Sequence, residues 1–265
     1  MKVRRLWLLG SAPLLLAALL AVPADAARHR GRDRAAIAAA TDSATSFGVA
    51  VKLLQPSSHW ALDEASGTTM ADQISGNDGT AGIGITVAQP SMHGDLEGAS
   101  VSVNGLITGS IAVADAANLR LTSAGTIVWT MSRTATAGTM GIWAKDNCSG
   151  ERFGLVMGND FKVVAYIRGA STITYTSAAA GTAGKHQWGF AFNGANATVY
   201  LDGAVLDSTA AFGTPVDDGD SCFIAAPNLV SCPSNGVSGI RFQSMAIWQR
   251  ALTPAEMAML YTASQ

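Results

Sequence analysis

From about residue 126 onward the chain is a succession of short apolar, β-branched runs, each closed by a cluster of Gly, Asn, Asp or Ser. The clearest runs are Thr126–Arg133, Thr139–Ala144, Phe153–Met157, Phe161–Arg168, Gln187–Phe192, Thr198–Leu201 and Gly239–Trp248. Runs of this length and composition are strands, and turns this frequent favour antiparallel pairing over crossover helices. Asp202-Gly203, between Tyr200-Leu201 and Ala204-Val205-Leu206, is a tight-hairpin signal. Gly158-Asn159-Asp160 punctuates the step into Phe161 in the same way. The pattern is β from residue 48 on, and no repeat of solenoid or propeller length occurs. The chain is therefore expected to be all-β, a sandwich of two antiparallel sheets.

One helix is marked at the end. Thr253 is a natural N-cap, Pro254 stands at N1 and Glu256 at N3, the pattern of a capping box. Met257, Leu260 and Tyr261 then share one face, so a short C-terminal helix is expected to pack on the sandwich.

The start of the chain reads as export machinery. Lys2, Arg4 and Arg5 precede an apolar stretch from Leu6 to Val22, and Ala24-Asp25-Ala26 fits a cleavage site. Residues 1–26 are read as a signal peptide rather than an anchor, because the apolar run is short and interrupted by Gly10, Ser11 and Pro13. Residues 27–47 form a basic, Ala-rich arm carrying Arg28, Arg30, Arg32 and Arg34, and 48–265 form the sandwich domain. The expected location is secreted or cell-surface. A net charge of −2 gives no electrostatic case for nucleic acid.

Export permits disulfides. Cys222 and Cys232 flank Ala226-Pro227-Asn228, where a hairpin-like excursion brings them together, and they are the expected pair. Cys148 could instead join either partner, since spacing does not fix connectivity.

Two phrases at the ends of the domain carry a resemblance. His59-Trp60-Ala61-Leu62-Asp63-Glu64-Ala65-Ser66-Gly67-Thr68-Thr69 leads into Gly76-Asn77-Asp78-Gly79-Thr80, and Arg250-Ala251-Leu252-Thr253-Pro254-Ala255-Glu256 closes the chain. Between them lie Thr126-Ile127-Val128-Trp129-Thr130 and the hairpin from His186-Gln187-Trp188 to Val199-Tyr200-Leu201-Asp202-Gly203. Their order resembles a laminin-G-like domain of the concanavalin A-like lectin/glucanase superfamily. The resemblance implies a jelly-roll sandwich whose first strands meet its last. Trp60, Trp129, Trp188 and Trp248 are read as core aromatics filling the space between the sheets.

The resemblance also implies a calcium site near the first turn and the last strand, with Asp72 and Asp78 as ligands. Gln243 stands where the family often has a carboxylate, which would weaken such a site. It implies recognition of carbohydrate, of a cell-surface polymer or of a protein surface. An exposed aromatic stacking on a sugar would do this, beside Asp and Asn donors. Trp143 next to the Asp146-Asn147 loop is the expected aromatic, with Tyr166 and Tyr175 as further candidates.

Catalytic patterns are lacking. The E-x-D-x-x-E carboxylate pattern of glucanases of this fold does not occur, nor does Gly-x-Ser-x-Gly. His59, His93 and His186 lack metal-ligand spacing. Asp217-Asp218-Gly219-Asp220 is an acidic cluster in a Gly/Pro-bounded loop. The reading is a non-catalytic binding module, with a structural or adhesion component of a surface assembly as the alternative and glycoside hydrolysis third.

Overall fold

The computed structural model describes residues 46–93, 98–104, 109–134, 138–145, 153–167, 173–210, 212–215, 219–226 and 239–265. The expected signal peptide and nearly all of the expected arm lie outside the described residues, as do Asp146, Asn147, Cys148 and Cys232.

The described strands form two antiparallel sheets. Sheet A runs β14 (Ala204–Thr209), β13 (Ala197–Leu201), β12 (Gly184–Phe192), β7 (Gly125–Arg133), β16 (Ile240–Trp248), β5 (Ser100–Val103) and β4 (Ile85–Gln89). A short β1 (Ser58–Trp60) pairs with β16 over Met245 to Ile247, so the first strand does meet the last. Sheet B runs β11 (Ile173–Thr176), β10 (Val163–Ile167), β9 (Phe153–Met157), β8 (Met140–Lys145), β15 (Cys222–Ile224), β6 (Ile111–Val113), β3 (Gly79–Ala81) and β2 (Thr69–Met70). The expected β-sandwich is thus the observed one.

The period of two along each strand sends alternate side chains between the sheets. On β7, Ile127, Trp129 and Met131 point into the main core, and on β12 Trp188, Phe190 and Phe192 do. Trp129 and Trp188 are register partners and stack with planes 8° apart. Phe153 of β9, Phe190, Phe192 and Phe212 form a second knot of edge-on rings.

The other face of sheet A is also covered. Val128, Ala191, Tyr200, Ala246 and Trp248 form an apolar patch beneath two helices, α1 (Phe47–Leu53) and α2 (Pro254–Ala263). Trp248 therefore belongs to this outer layer, not between the sheets as expected. Ile247 takes the inward position, and the next residue must face out. The β pattern expected from residue 48 is also corrected, because 47–53 are helical. Ser46 caps the helix by accepting from the Val49 N–H, and Phe47, Ala50 and Val51 are buried at helical spacing.

Helix α2 has the expected capping box. Thr253 Oγ1 accepts from the Glu256 N–H, and the Glu256 carboxylate accepts from the Thr253 N–H at 2.7 Å. Arg250 holds the same carboxylate at 2.8 Å. The β13–β14 turn has Asp202 at φ 51° and Gly203 at φ 76°, the left-handed pair of a type I′ hairpin. Gly203 is required twice over, since a Cβ there would also lie 3.0 Å from the Ala258 backbone of α2. Among the described residues, no helix is long and apolar enough to cross a membrane.

Candidate functional site

The turn after β1 is a dense polar knot built on Asp72. Its Oδ1 accepts from the backbone N–H of His59 at 2.9 Å and of Ile74 at 3.0 Å. Its Oδ2 accepts from Ser75 Oγ at 2.6 Å and from the Asn77 N–H at 3.1 Å. Burial alone would raise this carboxyl, but these donors outweigh it and hold Asp72 below the usual range. Asp78 accepts from the Asp72 N–H at 2.9 Å. Asn77 donates to Ser58 and Asn118, and Asn118 donates to the Ser57 carbonyl, tying the turn to β1 and to the short 3-10 turn Ala117–Leu119.

Gln243 lies elsewhere in this bonding scheme. It sits at a bulge in β16, where the register with β7 shifts between Phe242 and Met245. Its Oε1 accepts from the N–H groups of Met92 and His93, and its Nε2 donates to Ser91 Oγ at 2.9 Å. The side chain thus straps the 90–93 segment to the sheet. Asp72 and Asp78 come together, and Gln243 bonds to neither. Among the described residues, no three His, Cys, Asp or Glu side chains gather as metal ligands.

The expected sugar-stacking aromatic is corrected. Trp143 is fully buried, in the core, with its ring 6.1 Å from that of Trp60. A bulge between Gly141 and Trp143 breaks the alternation of β8, so Ile142 and Trp143 both belong to the inner layer. Tyr175 also faces the core, and its hydroxyl donates to Asp207 Oδ2 at 2.9 Å. Burial, together with that carboxylate, pushes the Tyr175 phenol well up.

Tyr166 differs. It alternates with Ala165 and Ile167, which are core residues, so it stands on the outward face of sheet B. Register defines its row: Tyr166 opposes Gly154, Gly154 opposes Ala144, Ala144 opposes Phe223, Phe223 opposes Ala112, and Ala112 opposes Thr80. Two aromatics therefore flank a floor of Ala144 and Gly154. The floor must be this small, because a Cβ on Gly154 would collide with the Tyr166 ring. Phe223 is half-buried, Ala112 and Thr80 are exposed, and Tyr166 and Ala144 are buried. A second row on the same face holds Gly141, Val156, Val164 and the exposed Thr176. Among the described residues, no helix packs on this face. Sequence reasoning missed Phe223. The available signal was the alternation Cys222-Phe223-Ile224, which puts the ring opposite two core positions.

Several acids of the described residues hold structure together. Glu64 Oε1 accepts from the Ala71 N–H at 2.8 Å, and its burial raises its carboxyl. Asp63 and Glu64 lie in a loop after β1 rather than on a strand. Asp115 pairs with Arg120 and with the buried Lys145 at the sandwich rim. Asp202 bonds His186 Nδ1 at 2.7 Å and accepts from the Gln187 N–H at 3.0 Å, while His186 Nε2 lies 3.0 Å from Thr182 Oγ1. That carboxylate anchors its own hairpin turn. Cys222 is buried on the inner side of β15; its expected partner Cys232 lies outside the described residues.

No protein-family model matches the chain, and no curated protein matches it. Solved structures do share its fold. Trypanosoma rangeli sialidase superposes on 77% of this chain with a TM-score of 0.56 and 16% identity. The binding domain of paraclostridial mosquitocidal protein 1 covers 77% with a TM-score of 0.59 and 15% identity. A structure of botulinum neurotoxin type C, whose passage into cells depends on interaction with two ganglioside molecules, covers 78% with a TM-score of 0.56 and 11% identity. The match spans 32% of the sialidase chain, 51% of the mosquitocidal domain and 50% of the neurotoxin chain. At these identities the likeness is one of fold, an antiparallel β-sandwich. The neighbours are sialidases and clostridial toxin binding domains.

Proposed function

We propose that this domain is an exported, non-catalytic module of the concanavalin A-like, laminin-G-like type. It binds carbohydrate displayed on a cell or polymer surface, through the outward face of sheet B. The observation that carries the reading is the solvent-facing end of the row, the half-buried Phe223 beside the exposed Ala112 and Thr80. The partly exposed Phe223 ring suits the apolar face of a sugar, and the exposed Thr80 hydroxyl beyond Ala112 suits its hydroxyl groups. The shared fold supports it, since one of the fold neighbours is named as a binding domain and another for interaction with gangliosides.

A non-catalytic role is supported by the engagement of Asp72, Asp115, Asp202 and Asp207 in structural bonds. Retaining hydrolysis needs two free carboxyls about 5–5.5 Å apart. Calcium-independent binding is supported by Asp72, whose two oxygens already accept four N–H and O–H donors.

The test is a glycan array carrying both neutral and sialylated structures, followed by titration calorimetry of the hits in calcium and in a chelator. Binding of equal strength in both buffers is expected, with no release of free sugar on long incubation. Silence across the array would overturn the carbohydrate reading, and sugar release would overturn the non-catalytic one.

A further inference from the structure

The open end of sheet B presents two outward rows across β2, β3, β6 and β15. The first is Thr69, Thr80, Ala112 and Phe223, joined pair by pair in register. The second is Ala71, Asp78, Ala114 and Ser221. Between the rows lie Met70, Gly79, Val113 and Cys222, which face inward, so the residues on either side of them face out. Phe223 is half-buried and the rest of both rows is exposed.

This surface is made of alanines and hydroxyl side chains, with one ring and one charge. The charge is Asp78. Its Oδ1 accepts from the Asp72 N–H at 2.9 Å, and among the described residues its Oδ2 has no hydrogen-bond partner. More negative charge stands behind it. Glu64 Oε1 accepts from the Ala71 N–H at 2.8 Å, which sets that carboxyl against the end of β2. Burial, and after it the neighbouring Asp63 and Asp78 carboxylates, push the Glu64 carboxyl up.

Cations are committed elsewhere. Lys145 opposes Cys222 in register, at the far side of the rows, and both Lys145 and Arg120 are held on Asp115. Neither outward row contains a Lys or Arg.

This charge pattern sorts sugars. A neutral sugar brings hydroxyl groups, and one that donates to Asp78 makes a charge-assisted hydrogen bond. A sugar acid or a sulfated sugar brings an anion. It would meet Asp78, with Glu64 and Asp63 behind, and no cation on either row to pair with. Like charges set together at a contact select strongly against the wrong ligand.

We propose that the open end of sheet B takes neutral sugars in preference to anionic ones, and that Asp78 sets the choice. The proposal rests on the carbohydrate reading above and names the class of sugar.

The test sets each neutral glycan on an array beside its sialylated or sulfated counterpart, in calcium and in a chelator. Hits among the neutral members in both buffers are expected. Anionic members bound as well as their neutral counterparts, or better, in either buffer would overturn the proposal and leave carbohydrate binding standing. Silence across the array would remove the carbohydrate reading and this proposal with it.

Asp78→Asn then tests the residue. Its amide oxygen can still accept from the Asp72 N–H, so the melting temperature should stay close to that of the unsubstituted chain. In calorimetric titration the neutral hit should weaken about tenfold, and its margin over the sialylated counterpart should shrink by a similar factor. An unchanged margin in the folded variant would take the choice away from Asp78. Ala114→Lys is a second variant, at an exposed position of the same row. A cation there should strengthen binding of the sialylated counterpart by about tenfold, and no gain in that folded variant would contradict selection by charge.

Discussion

The outward faces of the two sheets have taken different courses. That of sheet A is roofed by α1 and α2 over Val128, Ala191, Tyr200, Ala246 and Trp248, and beyond the roof it carries a buried polar row. That of sheet B has no helix over it among the described residues; its Tyr166 end is buried, and its Phe223–Ala112–Thr80 end reaches solvent. A face with large apolar side chains must be covered, whereas the Phe223–Ala112–Thr80 end of sheet B, with a single ring, reaches solvent. The difference assigns stability to one face and binding to the other, and substitutions on the two should separate cleanly.

The largest effects are expected where both faces depend on the common core. Trp129→Ala removes a fully buried ring stacked on Trp188. It should cost about 3–5 kcal/mol, measured by urea unfolding, and abolish binding with folding.

Acid should act next, and on the sheet A side. Burial lowers His59 to about 4 and His93 to about 3. Their folded values lie below the unfolded value of about 6.5, so the unfolded chain binds more protons in between. Stability is whole above pH 6.5 and falls as pH drops toward 4, by about 3 kcal/mol for His59 alone. Chemical denaturation from pH 7 to pH 4 should show this slope, and His93→Phe should flatten it. An unchanged slope in that variant would remove His93 from the account.

A third effect concerns the roof alone. Gly203→Ala places a Cβ 2.8 Å from the Tyr261 Cβ, in backbone that a side chain strains. A loss of about 1–3 kcal/mol is expected, with sugar affinity unchanged. The smallest is at the cap of α2, where Thr253→Ala should cost about 1 kcal/mol. A change in carbohydrate affinity in either variant would blur the division between the faces.

Much of this fold was legible in the sequence. The strand runs, the Asp202-Gly203 turn and the Thr253–Glu256 cap depend on neighbours within a few positions, and those interactions are written locally. Helix α1 was legible too, in Ser46 and the spacing of Phe47, Ala50 and Val51, but the strand pattern following it obscured the change of period. The site was much less legible. Trp143 reads as a surface aromatic next to a polar loop, and only the bulge in β8 reverses it; a bulge is set by the partner strand, not by the residues themselves. Tyr166 could be named as a candidate but not joined to Phe223, because three intervening strand pairings decide their row. The family resemblance places Gln243 beside Asp72, and the bulge in β16 turns it to the 90–93 strap instead.

The most direct measurement is calorimetric titration of an array-selected glycan into the Phe223→Ala variant. Phe223 is half-buried at the surface of the row, so the variant should keep its fold. Affinity at least tenfold weaker, with a melting temperature within a few degrees of the unsubstituted chain, is the predicted result. Undiminished affinity in a folded variant would contradict the assignment of binding to sheet B.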